Sequence, residues 1–573
     1  MRKYTATSER RRVLVFLVIF LSITIILTGR LVYVQLFKGS YLKVLASEQW
    51  YRDLPLQAMR GDIYDANGLT LATSQLSYSI YLRPVEITDA EIAARELSSV
   101  LQLDYASLLK KISGKAQSEI LVKMGIDKET AMNLVGKNLG GVYLSQTYTR
   151  LYPQGSTAGQ ILGLVSIDGN GQEGLEKYYN ELLMGTNGKI ATEADLRGVK
   201  IENGKEYYVE ATAGQNLTLN IDAQIQQAVQ NALQKALTDH KAKAVSALVM
   251  DIETGAVVAS GSAPFYDMNE QPRDNGAELL TQIKNLPIIN VLEPGSTFKI
   301  ITLAAAIEEG VVDLENDRFS CSGTKSVDGE RIRCWRSKGH GVQTLQEGVN
   351  NSCNCVFMEL ALRVGVEKYY EYLKKFGLGE KTGVDFSGES SGLLLNPSRV
   401  RTVDLARIGF GQAIAVSPVQ LLSAVSAIIG DGNLRSPRFV GESPVKRRVV
   451  SAETNEIVRN LLYGVVNDGS GKHAGVAGYQ IGGKTGTAQK YKNGIIDQGH
   501  YISSFLGFIS NKGKPKYACY FYVDEPSTGV YYGSLVAAPY VGNIFQTIAI
   551  LKNFESTGAA VFAPIEIPEE MLW

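Results

Sequence analysis

The sequence predicts an α+β protein that is held to a membrane by one N-terminal helix. Three observations lead to this prediction: a long apolar run near the N-terminus, many short strand-like runs after it, and mixed helix and strand patterns beyond residue 222. A chain of 573 residues is too long for one hydrophobic core, so two large domains are expected. The 58 basic and 58 acidic residues balance, and the net charge therefore gives no reason to expect a nucleic-acid partner.

The N-terminal segment has the pattern of a membrane anchor. Basic residues precede an uncharged run from Val13 to Gly29, and the apolar span through Phe37 exceeds the length needed to cross a bilayer. A cleaved signal peptide would have a shorter apolar core and a small-residue cleavage site, and a buried core helix is the other alternative. Because the basic residues lie on the short side, we expect residues 1–12 in the cytoplasm, a single span at 13–36, and the rest outside.

The remainder of the chain divides by pattern. Residues 37–221 carry β-like runs such as "LSYSIYLRPVEI" and "GVYLSQTYTRLYP", with a polar helical stretch near 88–138. Residues 222–555 begin with the amphipathic helix "DAQIQQAVQNALQKALTDH", followed by a predicted hairpin, "AVSALVMDIETGAVVASGS". Residues 556–573 form a C-terminal tail.

A serine and a lysine in "EPGSTFKI" suggest nucleophilic catalysis. Ser296 and Lys299 are three residues apart, and four other S-x-x-K matches show that the spacing alone is weak. A serine hydroxyl needs an adjacent base, and lysine acts as a base only when its pKa is lowered by burial or a nearby cation. Only at Ser296 does a Pro-Gly break lead into an apolar helix, "FKIITLAAAIEEG", which would place Ser296 at a helix N-terminus and bury Lys299.

Two further motifs follow in the order that such a site would need. S-x-N occurs once, in "NNSCNC", where it comprises Ser352 and Asn354. K-T-G occurs at Lys381, in a Gly/Ser/Glu-rich loop, and at Lys484, beside strand-like runs. A cation that lines a cleft is better held on a sheet, so we choose Lys484 and interpret Lys381 as part of an ordinary turn.

This ordered motif set resembles that of the class B penicillin-binding proteins. The segments "RGDIYDANGLTLA", "RLYP" and "GLE" resemble blocks of that family's pedestal (dimerisation) domain, and "RIGFGQAIAVSPVQL" resembles a transpeptidase segment. The resemblance covers roughly residues 40–550. It implies an elongated β-rich pedestal domain followed by a serine transpeptidase domain, an antiparallel sheet flanked by helices, and it favours the division or sporulation branch.

The resemblance also implies a mechanism, D,D-transpeptidation of peptidoglycan stem peptides ending in D-Ala-D-Ala. Ser296 would be the nucleophile, Lys299 its base, Ser352 the proton relay and Lys484 the neighbouring cation. β-Lactams would acylate the same serine. The substrate-binding residues that it implies are Asn354, Thr485, Gly486 and Thr487.

The resemblance leaves alternative functions to consider, and it also implies protein partners. A β-lactam sensor or a non-enzymatic division scaffold is the alternative function, but the motif residues are all present. The resemblance implies a membrane-embedded, polytopic glycosyltransferase and other division or sporulation proteins as partners. The helix around Arg30 and Tyr33 is a candidate contact surface, and anchoring at the membrane edge is the alternative role for these residues.

Four of the five cysteines lie close to the S-x-N motif and depart from the family pattern. If the loop is extended, Cys353 and Cys355 point behind the cleft. Three interpretations stay open: a disulfide, a structural zinc site with His340 as a further ligand, or buried thiols. No cofactor is needed for the chemistry itself. The four residues are Cys321, Cys334, Cys353 and Cys355.

Overall fold

A computed structural model of the chain describes most of its residues, in two compact units. The smaller unit draws on residues 1–59, 75–149 and 185–213, and the larger on 60–74, 150–184 and 214–573. Two stretches upstream of residue 214 therefore pack with the larger unit. The described residues are 6–39, 41–42, 51–114, 119–193, 201, 204, 206–271, 275–492 and 495–556.

The N-terminal segment forms one helix, Ala6–Phe37. Its apolar side chains are exposed along the predicted span, except for Val34, which is partly exposed. The 28 residues of Arg10–Phe37 are long and apolar enough to cross a membrane. A second stretch, Gly533–Leu551, passes the same test but is more than half buried in protein, so it is a core helix.

Besides the N-terminal helix, the described part of the smaller unit contains two groups of strands and three α-helices. In one group Gly188–Glu193 lies between Tyr51–Leu56 and Glu206–Val209, all antiparallel. In the other, Ile120–Ile126 and Val142–Leu151 both pair with Thr70–Leu82. The helices are Ala90–Leu101, Tyr105–Ser113 and Lys128–Gly136.

The prediction of a helical stretch near 88–138 is wrong for its middle part, which contains a strand. Each of the three helices here begins after an aspartate whose carboxylate accepts backbone N–H bonds, Asp89, Asp104 or Asp127. Between the second and third helix lies the strand Ile120–Ile126. Its side chains alternate between more and less exposed positions, the period of a strand, and the surrounding helical pattern hid this in the sequence.

Three charged residues from the pedestal-like segments form a buried ion cluster in the larger unit. Glu176 is fully buried, and its carboxylate lies 2.6 Å from Arg60 Nε and 2.7 Å from Arg150 Nε. A buried carboxylate is stable only when its charge is paired and its lone pairs are used. The cluster therefore explains why all three segments carry a charged residue.

A five-stranded antiparallel sheet is the centre of the larger unit. Successive side chains of its strands point to opposite faces: Leu248 and Tyr520 face one core, whereas Val249 and Phe521 face another. The predicted hairpin and the later strand runs are confirmed. In spatial order the strands are Val257–Ala263, Ala244–Asp251, Lys514–Asp524, Ile495–Asn511 and Gln480–Lys492.

Helices cover both faces of this sheet. The predicted amphipathic helix is confirmed as Ala223–Asp239, capped by Asp222, and packs on one face with Ala538–Leu551. Lys299–Glu308 and the fully buried Pro418–Ile429 contribute to the core of the other face. The antiparallel sheet flanked by helices is thus confirmed.

Shorter elements complete the larger unit. Its other helices are Gly159–Leu162, Gly174–Tyr178, Asn180–Met184, Gly276–Gln282, Leu286–Ile289, Leu345–Asn350, Asn354–Val364, Val366–Lys375, Thr402–Ile408, Ala452–Asn467 and Gly533–Val536. Its other strands are Ile63–Tyr64, Leu217–Thr218, Phe319–Cys321, Thr324–Val327, Glu330–Arg333, Gly341–Gln343, Asn433–Arg435 and Val445–Arg448.

Candidate active site

Ser296 lies in a tight turn immediately before a buried helix. The turn Gly295–Phe298 is a 3-10 helix, and the α-helix Lys299–Glu308 continues from it. The sequence placed Ser296 at the start of the α-helix itself, and the structure places it one turn earlier. Gly295 has φ of +53°, a conformation that glycine adopts without strain, and its N–H donates to the Gly411 carbonyl at 3.0 Å. The turn leaves Ser296 partly exposed above a buried helix.

Lys299 is fully buried and is bonded to the S-x-N motif. Its Nζ donates to the Ser352 carbonyl at 2.7 Å, to Ser352 Oγ at 3.1 Å and to Asn354 Oδ1 at 2.8 Å. Burial lowers the pKa of Lys299 to about 8, although the nearby cysteines act in the opposite direction. The three bonds use all the donors of a protonated amine, so Lys299 must lose a proton before it can accept one from Ser296.

The S-x-N motif forms a turn between two helices, Leu345–Asn350 and Asn354–Val364. Ser352 has φ of +50°, which is uncommon for a residue with a side chain and is found mostly where the surroundings fix the backbone. Asn354 begins the second helix, and its Nδ2 donates to the Arg333 carbonyl at 3.2 Å. Lys299 and Arg333 therefore hold this turn from two sides.

The S-x-N segment does not meet the condition of an extended loop under which Cys353 and Cys355 would point behind the cleft. Cys353 immediately precedes the second helix and Cys355 lies within it, because the chain turns sharply at Ser352 rather than running straight. Both cysteines are nevertheless buried.

Lys484 lies on the edge strand of the sheet, opposite Leu506, and only 1% of it is exposed. Burial, and after it the charge of Lys299, lowers the pKa of Lys484 well below its usual value. The K-T-G motif and the S-x-x-K motif are therefore close enough for their two amines to interact.

Thr485, Gly486 and Thr487 continue the same strand. Gly486 has no room for a side chain, because a Cβ there would overlap Ser504 Oγ on the neighbouring strand. Thr485 is 8% exposed. The hydroxyl oxygen of Thr487 accepts the Gly533 N–H at 3.1 Å.

The K-T-G copy at Lys381 is structural, as the sequence analysis predicted. Glu389 accepts the backbone N–H groups of Thr382 and Gly383, at 2.5 and 3.1 Å, together with the Thr382 hydroxyl. The residues form a compact loop and lie on no strand.

The four cysteines near the S-x-N motif come together in one buried cluster. Their sulfur atoms all lie within 4.8 Å of one another, and none of the four is paired as a disulfide in this structure. His340 adjoins them, with Nδ1 at 3.7 Å from Cys334 Sγ. Bonds from Cys334 and Cys355 hold the pKa of the Cys353 thiol well below its usual value.

Two groups that contact the S-x-N turn were not found from the sequence. The Arg333 carbonyl accepts from Asn354, and the indole N–H of Trp335 donates to the Asn351 carbonyl at 3.0 Å. Both belong to a strand-rich segment that is adjacent to the motif only in space. No motif or spacing pointed to them.

Two protein families match the chain, each over one of its domains. The family "Penicillin binding protein transpeptidase domain" matches residues 245–546, and "Penicillin-binding Protein dimerisation domain" matches residues 55–219. The Stage V sporulation protein D of Bacillus subtilis is 37% identical over 554 residues, covering 94% of this chain and 85% of that protein. The probable peptidoglycan D,D-transpeptidase PenA of Neisseria gonorrhoeae is 30% identical over 550 residues, covering 94% and 93%.

Solved structures agree with these sequence matches. Penicillin binding protein 3 of Mycobacterium tuberculosis in complex with aztreonam is 27% identical, with a TM-score of 0.67, and the match covers 88% of this chain and 98% of that one. The motif residues that the sequence identified thus lie together in a transpeptidase domain that follows a dimerisation domain. The chain belongs to the class B penicillin-binding proteins.

Proposed function

We propose that this chain is a serine D,D-transpeptidase that cross-links peptidoglycan stem peptides ending in D-Ala-D-Ala, at division or sporulation, through an acyl-enzyme on Ser296. The observation that carries the proposal is the bonding of buried Lys299 to both Ser352 and Asn354, directly behind the turn that holds Ser296. The names of the relatives support the reaction class. A scaffold without chemistry would have no use for two buried amines, each of which costs free energy to desolvate.

Acylation follows from the positions of four side chains. The neutral amine of Lys299 takes the proton of Ser296 Oγ as that oxygen attacks the carbonyl carbon of the penultimate D-Ala. The carbon–nitrogen bond then breaks as Ser352 gives its proton to the departing amine of the terminal D-Ala, and Ser352 is reprotonated by the Lys299 ammonium, with which it is hydrogen-bonded at 3.1 Å. Lys484 stabilises the negative charge that develops nearby.

The other motif residues orient the donor peptide. Asn354 binds the amide on its acyl side, and Lys484 with Thr485 and Thr487 holds its terminal carboxylate. Backbone N–H groups of Ser296 and Thr487 stabilise the oxyanion, and one such donor typically contributes about 3 kcal/mol. An amine of a neighbouring stem peptide then attacks the ester and releases Ser296. β-Lactams occupy the same site and acylate Ser296.

The direct assay uses the full-length protein in detergent with a D-Ala-D-Ala peptide and an acceptor amine. We expect release of D-alanine together with a cross-linked product, both absent from the Ser296→Ala variant. Release of D-alanine without cross-linking, even with acceptor in excess, would instead indicate a carboxypeptidase.

Replacing Lys484 by alanine is expected to lower the rate of acylation by benzylpenicillin by roughly 10²-fold, because the drug's carboxylate loses its cation in a buried site. The other K-T-G lysine provides a matched control: Lys381→Ala should leave the rate unchanged, since that loop lies outside the site. Acylation rates measured with a fluorescent penicillin would check both. Equal losses in the two variants would contradict the choice of motif.

We also propose that Cys321, Cys334, Cys353 and Cys355 bind a structural zinc ion. Tetrahedral zinc with Zn–S bonds of about 2.3 Å separates its sulfur ligands by roughly 3.8 Å, which is compatible with sulfurs that all lie within 4.8 Å of one another. The ion would tie the S-x-N turn to the segment that contains Cys321 and Cys334, and it would take no part in the chemistry.

Removal of this zinc is expected to lower the acylation rate by roughly 10-fold, because the turn that holds Ser352 and Asn354 loses its tether. Native mass spectrometry should show one zinc per chain in the wild type and none in Cys334→Ser. Cys519 is a buried cysteine outside the cluster, so Cys519→Ala should keep both the metal and the rate. A mass two protons low and free of metal would show a disulfide instead.

Topology and partners form the last part of the proposal. The basic residues Arg10, Arg11 and Arg12 at the start of the long helix support a single span with a cytoplasmic N-terminus and an extracytoplasmic catalytic domain. A membrane-embedded polytopic glycosyltransferase would supply the strands to be cross-linked. Arg30 lies over the Tyr33 ring at 5.6 Å on the exposed helix, and this pair is a candidate contact for such a partner.

A further inference from the structure

A loop outside the three motifs lies between the S-x-N and K-T-G segments. It comprises residues 468–475 and follows the helix Ala452–Asn467. Within it the Ser470 N–H donates to the Asn350 carbonyl at 3.1 Å, and Asn350 ends the helix that leads into the S-x-N turn. The backbone of Ser470 is thereby fixed against that side of the site.

The side chain of Ser470 reaches the other side. Its Oγ lies 3.1 Å from Thr485 Oγ1. A hydroxyl has one proton to donate and two lone pairs to accept with. If Thr485 donated its proton to Ser470, it would have none for a ligand. If Ser470 donates, the Thr485 proton remains available for an anion. The hydrogen bond that the Thr485 hydroxyl accepts from Ser470 then strengthens the one that it donates to the anion.

The Thr487 hydroxyl also forms a hydrogen bond within the protein, and in this bond it can only be the acceptor. Its hydroxyl oxygen accepts the N–H of Gly533, which cannot act as an acceptor, so the Thr487 proton is free to point elsewhere. The loop of Ser470 also contacts the segment that binds Thr487: His473 Nδ1 forms a hydrogen bond of 2.9 Å with the carbonyl of Ser534, the residue after Gly533. Thr485 would have the same arrangement as Thr487 if Ser470 is the donor in their hydrogen bond.

We propose that Ser470 is a positioning residue for the substrate's terminal carboxylate: it donates to Thr485 and so directs the Thr485 proton into the carboxylate site. The inference rests on the proposed function, in which Lys484, Thr485 and Thr487 hold that carboxylate. It adds a residue that belongs to none of the three motifs.

The test compares a ligand that has the carboxylate with one that lacks its charge. We expect Ser470→Ala to lower the acylation rate constant for benzylpenicillin by about 5- to 10-fold, the effect of one hydrogen bond to a charged group, and that for benzylpenicillin methyl ester by less than about 2-fold. Ser470→Thr should restore the benzylpenicillin rate. Lys472→Ala, an exposed change in the same loop, is the matched control and should change neither rate. Equal losses with both ligands, or none with either, would overturn the proposal.

A double-mutant cycle separates positioning from loop stability. In a Thr485→Val background, Ser470→Ala should cost nothing more, because the proton that it directs is absent. A further loss of the same size in that background would mean that Ser470 acts through the loop backbone, and would overturn the proposal. A wild-type protein that forms no adduct with benzylpenicillin would refute the proposed function itself, and this outcome is distinct from both of the others.

Discussion

Replacement of Lys299 by alanine is expected to lower the rate constant for acylation of Ser296 by roughly 10³-fold or more, since Lys299 is the base to which the proposed mechanism assigns the Ser296 proton. Lys299 is fully buried, and it also binds the Ser352 carbonyl and hydroxyl. Its loss therefore removes the base and loosens the proton relay together. Stopped-flow measurement with a fluorescent penicillin would give the rate constant directly.

Lys299→Arg separates these two roles. Arginine keeps a cation and hydrogen-bond donors but does not lose its proton near neutral pH, so it should be nearly as inactive as alanine. An arginine variant that retains most of the wild-type rate would show that Lys299 acts only as a fixed charge, contrary to the mechanism.

The pH dependence of acylation should follow the same group. Burial lowers the pKa of Lys299 from the ordinary lysine value to about 8. The neutral amine is the reactive form, so the rate should rise as the pH approaches about 8. A rate that is flat or that falls between pH 6 and 8 would contradict the assignment of Lys299 as base.

Replacement of Ser296 by alanine is expected to abolish both cross-linking and acylation by β-lactams, because the other hydroxyl of the nucleophile turn is not available for attack. Thr297, the neighbouring hydroxyl, is buried and already donates to the Pro294 carbonyl at 2.7 Å. The variant should fold normally, since Ser296 is partly exposed. An unchanged melting temperature would confirm that the loss is chemical.

The sequence was sufficient for the parts of the fold that depend on local pattern. The apolar run predicted the helix Ala6–Phe37, and two strand-like runs joined by the turn "DIETG" predicted the hairpin around Gly255. The choice of Lys484 over Lys381 was also made from the sequence, because strand-like runs flank only the former.

The features that could not be predicted from the sequence depend on contacts between segments that are distant along the chain. The left-handed backbone of Ser352 is fixed by Lys299, which lies 53 residues earlier in the chain. The hydrogen bond between Ser470 and Thr485 joins a loop to the edge strand of the sheet, and neither residue type is unusual at its position. The cysteine cluster was predicted only as competing alternatives, because the position of each sulfur depends on how two separate segments pack.

The central claim is that Ser296 forms the acyl-enzyme, and the intact mass of the full-length protein after incubation with benzylpenicillin tests it most directly. We expect the wild type to gain the mass of one drug molecule, with the modified peptide containing Ser296, and the Ser296→Ala variant to gain nothing. An adduct of the same mass on Ser296→Ala, or a wild type that remains unmodified while correctly folded, would contradict the account.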